Sequence, residues 1–241
     1  MSEKVVKERL ERGTVSMKER QSVIRELFQG ATCEIEEQKV DKHYGNVICT
    51  LPGETDSTIV VGGHYDFIER GQGIVDDWTG TALLPSLYQS MKGETRKHTY
   101  VFIAFAAEER GLVGSTAYVK KLSAAQRAKI QAVVNLECLG MGPVNVWVSR
   151  STPSLVLRLA EVAKAIEVPL HRVDVDKVGD DDTHPFHNLG IPVLSIHSIT
   201  QESYSILHTA KDQLSVVKMS DYYTAYRLAA FYLSYLDLKL P

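Results

Sequence analysis

Apolar positions along the chain follow two rhythms. Val23, Ile24, Leu27 and Phe28 recur on one face before Gly30, behind a capping-box spacing at Ser16 and Glu19, so an amphipathic helical segment is expected within about residues 1–30. Extended segments follow. Residues 32–40 alternate, 46–51 form a short apolar run before Pro52-Gly53, and 58–63 read as a buried strand ending at His64. Further strands are expected at 98–105, 132–136, 144–148 and 192–196. Between them the helical period returns at 78–91, 114–122, 153–166 and 220–238, with Pro85 expected to kink the first of these. Strands alternating with helices predict an α/β sheet covered on both faces. In such sheets ligands gather at the carboxyl ends of the strands.

That rule orders the polar residues. His64 and Asp66 follow one apolar strand, Glu108 and Glu109 a second, and Glu137 a third, while Asp180 to Asp182 and His208 lie in later loops. Two neighbouring carboxylates where a buried strand leaves the core repel each other and are costly to desolvate. Either both face water or a cation lies between them.

The chain's 241 residues suffice for one large core, and no shift in composition marks a second domain, so residues 1–241 are expected to form one. A formal net charge of -3 with 24% charged residues lacks the basic excess of a nucleic-acid binder, so no nucleic-acid partner is expected. No apolar run is long enough to span a bilayer, and the charged first residues do not resemble an export signal. The compartment stays open: cytoplasmic, or extracytoplasmic had a leader been removed. Cys33, Cys49 and Cys138 are odd in number and lack CxxC spacing, so neither a disulfide framework nor a thiolate zinc knuckle is expected. Any metal would need oxygen and nitrogen ligands.

Each motif has a plain reading beside a chemical one. In GGHYDF, His64 is either a strand-end imidazole bonded to a carboxylate or a metal ligand oriented by Asp66. Asp76 and Asp77 in GIVDDWTG are either a helix N-cap or the source of a bridging carboxylate. The Glu-Glu-Arg of FAAEERG is often a solvated turn, yet Arg110 alone cannot neutralise carboxylates from several loops. If two zinc-sized ions are bound, Asp76 can bridge them, His64 and Glu137 can complete one, and Glu109 and His208 the other. Glu108 would then be free to move a proton.

Taken in order, GGHYDF, GIVDDWTG, FAAEERGLVGS, NLECLG, DDTHPFHNLGIPV and LHTAKD resemble the zinc-dependent aminopeptidases of the bacterial leucyl aminopeptidase type, the family-28 metallopeptidases of clan MH. The resemblance runs from about Asn46 to the C-terminus. It implies a three-layer α/β/α sandwich around a mixed, mostly parallel sheet, the zinc exopeptidase fold. It also implies two zinc ions per chain, with other divalent metals able to substitute, and peptide substrates with a free N-terminus. By motif match His64, Asp76, Glu109, Glu137 and His208 are the metal ligands, Glu108 is the general base and Asp66 orients the first histidine. The family often has a cis peptide after the bridging aspartate, here Asp76-Asp77. Cys138 and Leu207, beside ligands, can line the pocket for the first side chain or be plain core residues.

Two departures stand out: Glu137 occupies a place where many members have Asp, and Thr183 one where a histidine often follows the aspartate. A rival on the same scaffold is the single-zinc glutaminyl-peptide cyclase, which shares H-Y-D, the acidic pairs and a terminal H-T-x-x-D. A binding module that has lost its ligands is disfavoured because all five remain. A serine hydrolase is disfavoured because G-x-S-x-G is absent.

Overall fold

A computed structural model describes residues 1–177 and 179–241. The N-terminal region forms two helices, α1 (Glu3–Leu10) and α2 (Met17–Gly30), divided at the Ser16 cap, whose side chain accepts from the Glu19 amide. After them come β1 (Ile35–Lys39), β2 (Gly45–Leu51) and β3 (Thr58–His64). A wide helical turn at Ile74–Trp78 leads into α3 (Thr79–Met91), followed by β4 (Thr99–Phe105), α4 (Val113–Lys121) and α5 (Ala124–Lys129). The chain continues through β5 (Ile130–Glu137), β6 (Val144–Val146), α6 (Pro153–Ala165), β7 (Leu170–Arg172), α7 (His184–His187), β8 (Val193–His197) and α8 (Met219–Lys239).

The eight strands form one mixed sheet in the order β1-β2-β4-β3-β5-β8-β6-β7. Its centre, from β4 through β3 and β5 to β8, is parallel, so four strands deliver their carboxyl ends to one edge. These strands read as continuous apolar runs because both faces are covered. On one face Ile59, Val61, Phe102 and Val134 join a core closed by α1, α2, α3, α6 and α8; on the other, Val60, Ile103, Val133 and Val193 pack with Val119 of α4 and Phe186 of α7. The three-layer α/β/α arrangement is therefore present. Among the described residues no helix is long and apolar enough to cross a membrane.

Three expectations are corrected. α3 runs as one element through Pro85: residues 79–88 are buried throughout, and packing overrides the lost backbone bond. β7 and the short helices α5 and α7 are additional, being too brief to show a period. Cys33 and Cys49 are joined in a disulfide, with Cα atoms 6.1 Å apart. Spacing alone could not reveal that pair, because the cysteines meet only when β1 and β2 form an antiparallel ladder in which Ile35 faces Cys49. Cys138 is free and buried.

The disulfide bridges a sequence separation of 16. A cross-link over a loop of that size constrains the unfolded chain by about 3 kcal/mol. The Cys33→Ala/Cys49→Ala double variant should lose stability of that order in urea unfolding, and reductant should lower the parent's midpoint while leaving the variant's unchanged.

Candidate metal centre

The carboxyl edge of the sheet receives one motif from each central strand. β3 ends on His64, and the parallel register sets it beside Phe105 of β4, from which the chain turns through Ala106 and Ala107 to Glu108. β5 ends on Glu137. Asp76 comes from the wide turn before α3, and His208 from the loop between β8 and α8. Ala107, Leu112, Cys138 and His208 have positive φ, between 48° and 57°. Such costly conformations in residues other than glycine cluster where the surroundings enforce a site.

Within this edge Asp76 divides its two oxygens. Oδ1 lies 3.2 Å from His64 Nε2, which is also 3.2 Å from Glu137 Oε1. Oδ2 lies 3.1 Å from His208 Nε2, itself 3.1 Å from Glu109 Oε2. Two donor groups thus share one carboxylate, and Glu108 Oε2 stands 3.9 Å from His64 Nε2. The peptide between Asp76 and Asp77 is cis.

The hydrogen-bond pattern tests whether a cation suits this place. His64 Nδ1 lies 3.2 Å from the carbonyl oxygen of Asp66, which can only accept, so that nitrogen carries its proton. In the neutral ring Nε2 is then a lone pair aimed at two carboxylate oxygens, an arrangement of three acceptors that needs a positive charge between them. Glu109 Oε1 is buried without a hydrogen-bond partner among the described residues. Asp76, Glu109 and His208 can bring ligand atoms within 4.8 Å of one another, as can His64, Asp77 and Glu137, and imidazole with carboxylate donors suits zinc.

Electrostatics agrees. Burial pushes the Glu108 carboxyl well above its ordinary value, against the pull of His64, with Asp182, Glu137 and Asp76 adding to the rise. Burial likewise raises Glu137 and Asp77. Burial works against the charged form of His64, but the charges of Glu108 and Glu137 hold its pKa well above the usual imidazole range. Hydrogen bonds to Asp76 and Glu109 raise His208 to about 10. For Asp76, burial is outweighed by hydrogen bonds from His208 and His64, which hold it below the usual carboxylate range.

A second set of acids, less visible in the sequence, holds the backbone. The carboxylate of Asp66 accepts from the amides of Glu108 (2.9 Å) and Glu109 (3.1 Å) and lies 3.5 Å from His64 Nδ1. It therefore lies near the imidazole, whose Nδ1 is closer to the Asp66 main-chain carbonyl, and holds the backbone of the glutamate pair. Asp77 takes the amides of His64, Gly80 and Cys138, tying β3, α3 and β5 together. Gly80 is required there, since a Cβ would fall 2.0 Å from the Leu136 carbonyl. Asp212, the last residue of LHTAKD, accepts from Val75 and Asp76. Asp182, whose motif departs at Thr183, is buried with both oxygens lacking a hydrogen-bond partner among the described residues.

Beside the donor groups is a cavity of about 310 Å3, lined in part by Cys138, Leu207, Trp147, Asp181 and His197, with Ser195 two residues lower on the sheet than the Glu137 level. Cys138 and Leu207 are thus both core and cavity wall. Trp147, Ser195 and His197 carry no signal in the sequence because they meet the donor edge only through the order of the strands in the sheet.

Residues 46–233 match the sequence profile of peptidase family M28. The chain is 33% identical over 157 residues to leupeptin-inactivating enzyme 1 of Streptomyces exfoliatus, covering 64% of this chain and 35% of the relative. It therefore spans about a third of that relative's length. In fold it resembles a zinc aminopeptidase from Bacillus subtilis (TM-score 0.72, 23% identity, 78% of this chain and 49% of the other). It also resembles a glutaminyl cyclase from an Acidobacteriales bacterium (TM-score 0.79, 19% identity, 98% and 94%).

Because Asp66 fixes both the first imidazole and the backbone of the glutamate pair, Asp66→Asn should weaken zinc binding by about 10- to 100-fold. Competition with a chromogenic chelator measures this, and an unchanged circular dichroism spectrum separates it from unfolding.

Proposed function

The chain belongs to peptidase family M28, and from that membership we propose that it is a co-catalytic di-zinc aminopeptidase that removes the N-terminal residue from peptides. The observation that carries this reading is the division of Asp76 between two donor groups. His64 and Glu137 gather at one of its oxygens, His208 and Glu109 at the other. In the scheme His64, Asp76 and Glu137 hold one ion, and Asp76, Glu109 and His208 the other. When bound, the zinc pair supplies Lewis acidity to the scissile carbonyl and to water.

The protein's own residues do the rest. Glu108 takes the proton of the attacking water and returns it to the leaving amine, and its position 3.9 Å from the His64 Nε2 that faces the centre suits both transfers. The positive charge of bound ions would favour the ionised form needed to accept the first proton. Asp66 keeps the glutamate pair in register for this task. Cys138 and Leu207 enclose the side chain of the first residue. The longer side chain of Glu137, compared with Asp, still brings Oε1 to 3.2 Å from His64 Nε2, while Oε2 is held by Asn135 Nδ2 at 2.8 Å.

A single-zinc cyclase acting on N-terminal glutamine is the alternative reading, and because it shares the histidine, the acidic pairs and the terminal H-T-x-x-D, the number of ions bound separates the two. The Cys33–Cys49 disulfide further supports action in an oxidising compartment. Thiol trapping in the native cell should recover the oxidised form, and a fully reduced pair would argue against that location.

Elemental analysis of the zinc-saturated protein should find two ions per chain; one ion together with cyclisation of glutaminyl peptides would establish the cyclase instead. Glu108→Gln should keep both ions and lower kcat on aminoacyl anilides by about 10²- to 10⁴-fold. Turnover within tenfold of the parent would remove Glu108 from the base role.

A further inference from the structure

The cavity beside the donor groups has walls and a floor of opposite character. Its walls are apolar: Trp147, Val175, Ile199 and Leu207 pack together with Cys138. The floor lies lower on the sheet. Ser195 is in register with Asn135, two residues before Glu137, which sets it about 6–7 Å below the donor edge. Ser195 Oγ is fully buried and has no hydrogen-bond partner among the described residues. Beside it Asp181, also buried, takes the amide of Thr183 at 2.9 Å and the Thr183 hydroxyl on Oδ1. Its other oxygen has only a long contact, 3.4 Å, from Asn135 Nδ2.

Among the described residues the charged and imidazole donors nearby are engaged elsewhere. His197 Nε2 donates to the Val173 carbonyl at 2.9 Å, and Nδ1 accepts the Ile199 amide at 3.0 Å, so both ring nitrogens are engaged. Arg150 pairs with Asp176 and Asp180. The floor therefore offers a carboxylate and a hydroxyl, buried, to whatever reaches the end of the cavity.

We propose that the cavity selects a first residue with a long aliphatic stem and a cationic head, lysine or arginine, which Asp181 and Ser195 bind. This rests on the aminopeptidase reading and names its substrate class. The stem covers the apolar walls while the head, which only donates hydrogen bonds, meets groups with acceptor capacity to spare. Leucine would fill the walls and leave buried polar groups unpaired, an omission that costs a substrate more than a missing methylene does. A glutamate side chain would face Asp181 as a like charge. Glutamine would satisfy the floor with its amide hydrogens but bring a carbonyl for which only the Ser195 hydroxyl could donate.

The test compares lysyl, arginyl, norleucyl, leucyl and glutaminyl anilides on the zinc-loaded protein. Norleucine is the control, having lysine's stem without its head. Lysyl and arginyl substrates should exceed norleucyl in kcat/KM by at least about tenfold. Asp181→Asn and Ser195→Ala should each reduce that ratio, the former by about tenfold. Calorimetric binding of L-lysinamide and L-norleucinamide to zinc-loaded Glu108→Gln gives a readout independent of turnover, and lysinamide should bind more tightly. If no anilide is cleaved, the aminopeptidase reading fails while this binding comparison still decides the subsite. Equal binding of the two amides, a preference for leucyl or glutaminyl substrates, or a ratio untouched by both substitutions overturns the proposal.

Discussion

Carboxylates crowded at the edge of a sheet set the terms for the rest of this molecule. Asp76, Glu108, Glu109 and Glu137 converge there from two separate loops and a strand end, with Asp77 and Asp182 buried close behind. At a separation near 4 Å each like-charged pair costs about 4 kcal/mol even with an effective dielectric of 20. A fold cannot hold that many negative charges out of water unless protons or cations enter with them. The hydrogen-bonding pattern shows the conflict directly: a single imidazole nitrogen of His64 faces two carboxylate oxygens at equal distance. Raised values at Glu108, Glu137 and Asp77 and raised values at both histidines are two views of one field. A pair of zinc ions would supply in one place the charge that the metal-free chain has to assemble from protons.

Three of the motifs meet this constraint by the same division of labour. Each carries one residue that faces the centre and one acid that turns back to bind amide hydrogens. His64 faces inward while Asp66 holds the glutamate pair. Asp76 faces inward while Asp77 ties three elements together. His208 faces inward while Asp212 holds the turn that carries Asp76. The inward groups are thereby fixed through the backbone, so less conformational freedom is lost when a ligand arrives. Positive φ at Ala107, Cys138 and His208 fits this picture, since each sits in or next to one of these clamped segments.

The same division explains what the sequence made legible. β3, β4 and β5 were readable nearly to their ends because buried parallel strands appear as unbroken apolar runs. The inward-facing residues were readable because they follow those runs directly. The bond from the Gly80 amide to Asp77 fits the helix N-cap reading, but the ties of Asp77 to His64 and Cys138 and the role of Asp212 were not legible, since long-range bonds to backbone amides leave no trace in side-chain pattern. Three-residue β7 and four-residue α7 are too short to show a period, and the Cys33–Cys49 pair depends on how two strands align. Cys138 and Leu207 could be anticipated as neighbours of ligands. Asp181 lies in the acid run read as one of the later loops, but its place in the cavity, like that of Ser195, was not legible, because β8 comes to lie beside β5 only through the crossover order of the sheet.

That topology also separates what the scaffold can vary from what it cannot. Every inward-facing donor is at the carboxyl edge, where moving one would disturb the amide clamps of its neighbours. The cavity floor lies lower, between β5 and β8, and Ser195 shares no hydrogen bond with any of the five donors through its side chain. Exchanging it alters what the cavity recognises without changing the charge at the edge. Asn135 is the one direct link, bonding Glu137 at 2.8 Å and reaching toward Asp181 at 3.4 Å. Through it the extra methylene of Glu137 is braced from the cavity side, so recognition and donor geometry meet at a single amide. A chain with this arrangement can retain the chemistry of its edge while the residues two positions below decide which side chain reaches it.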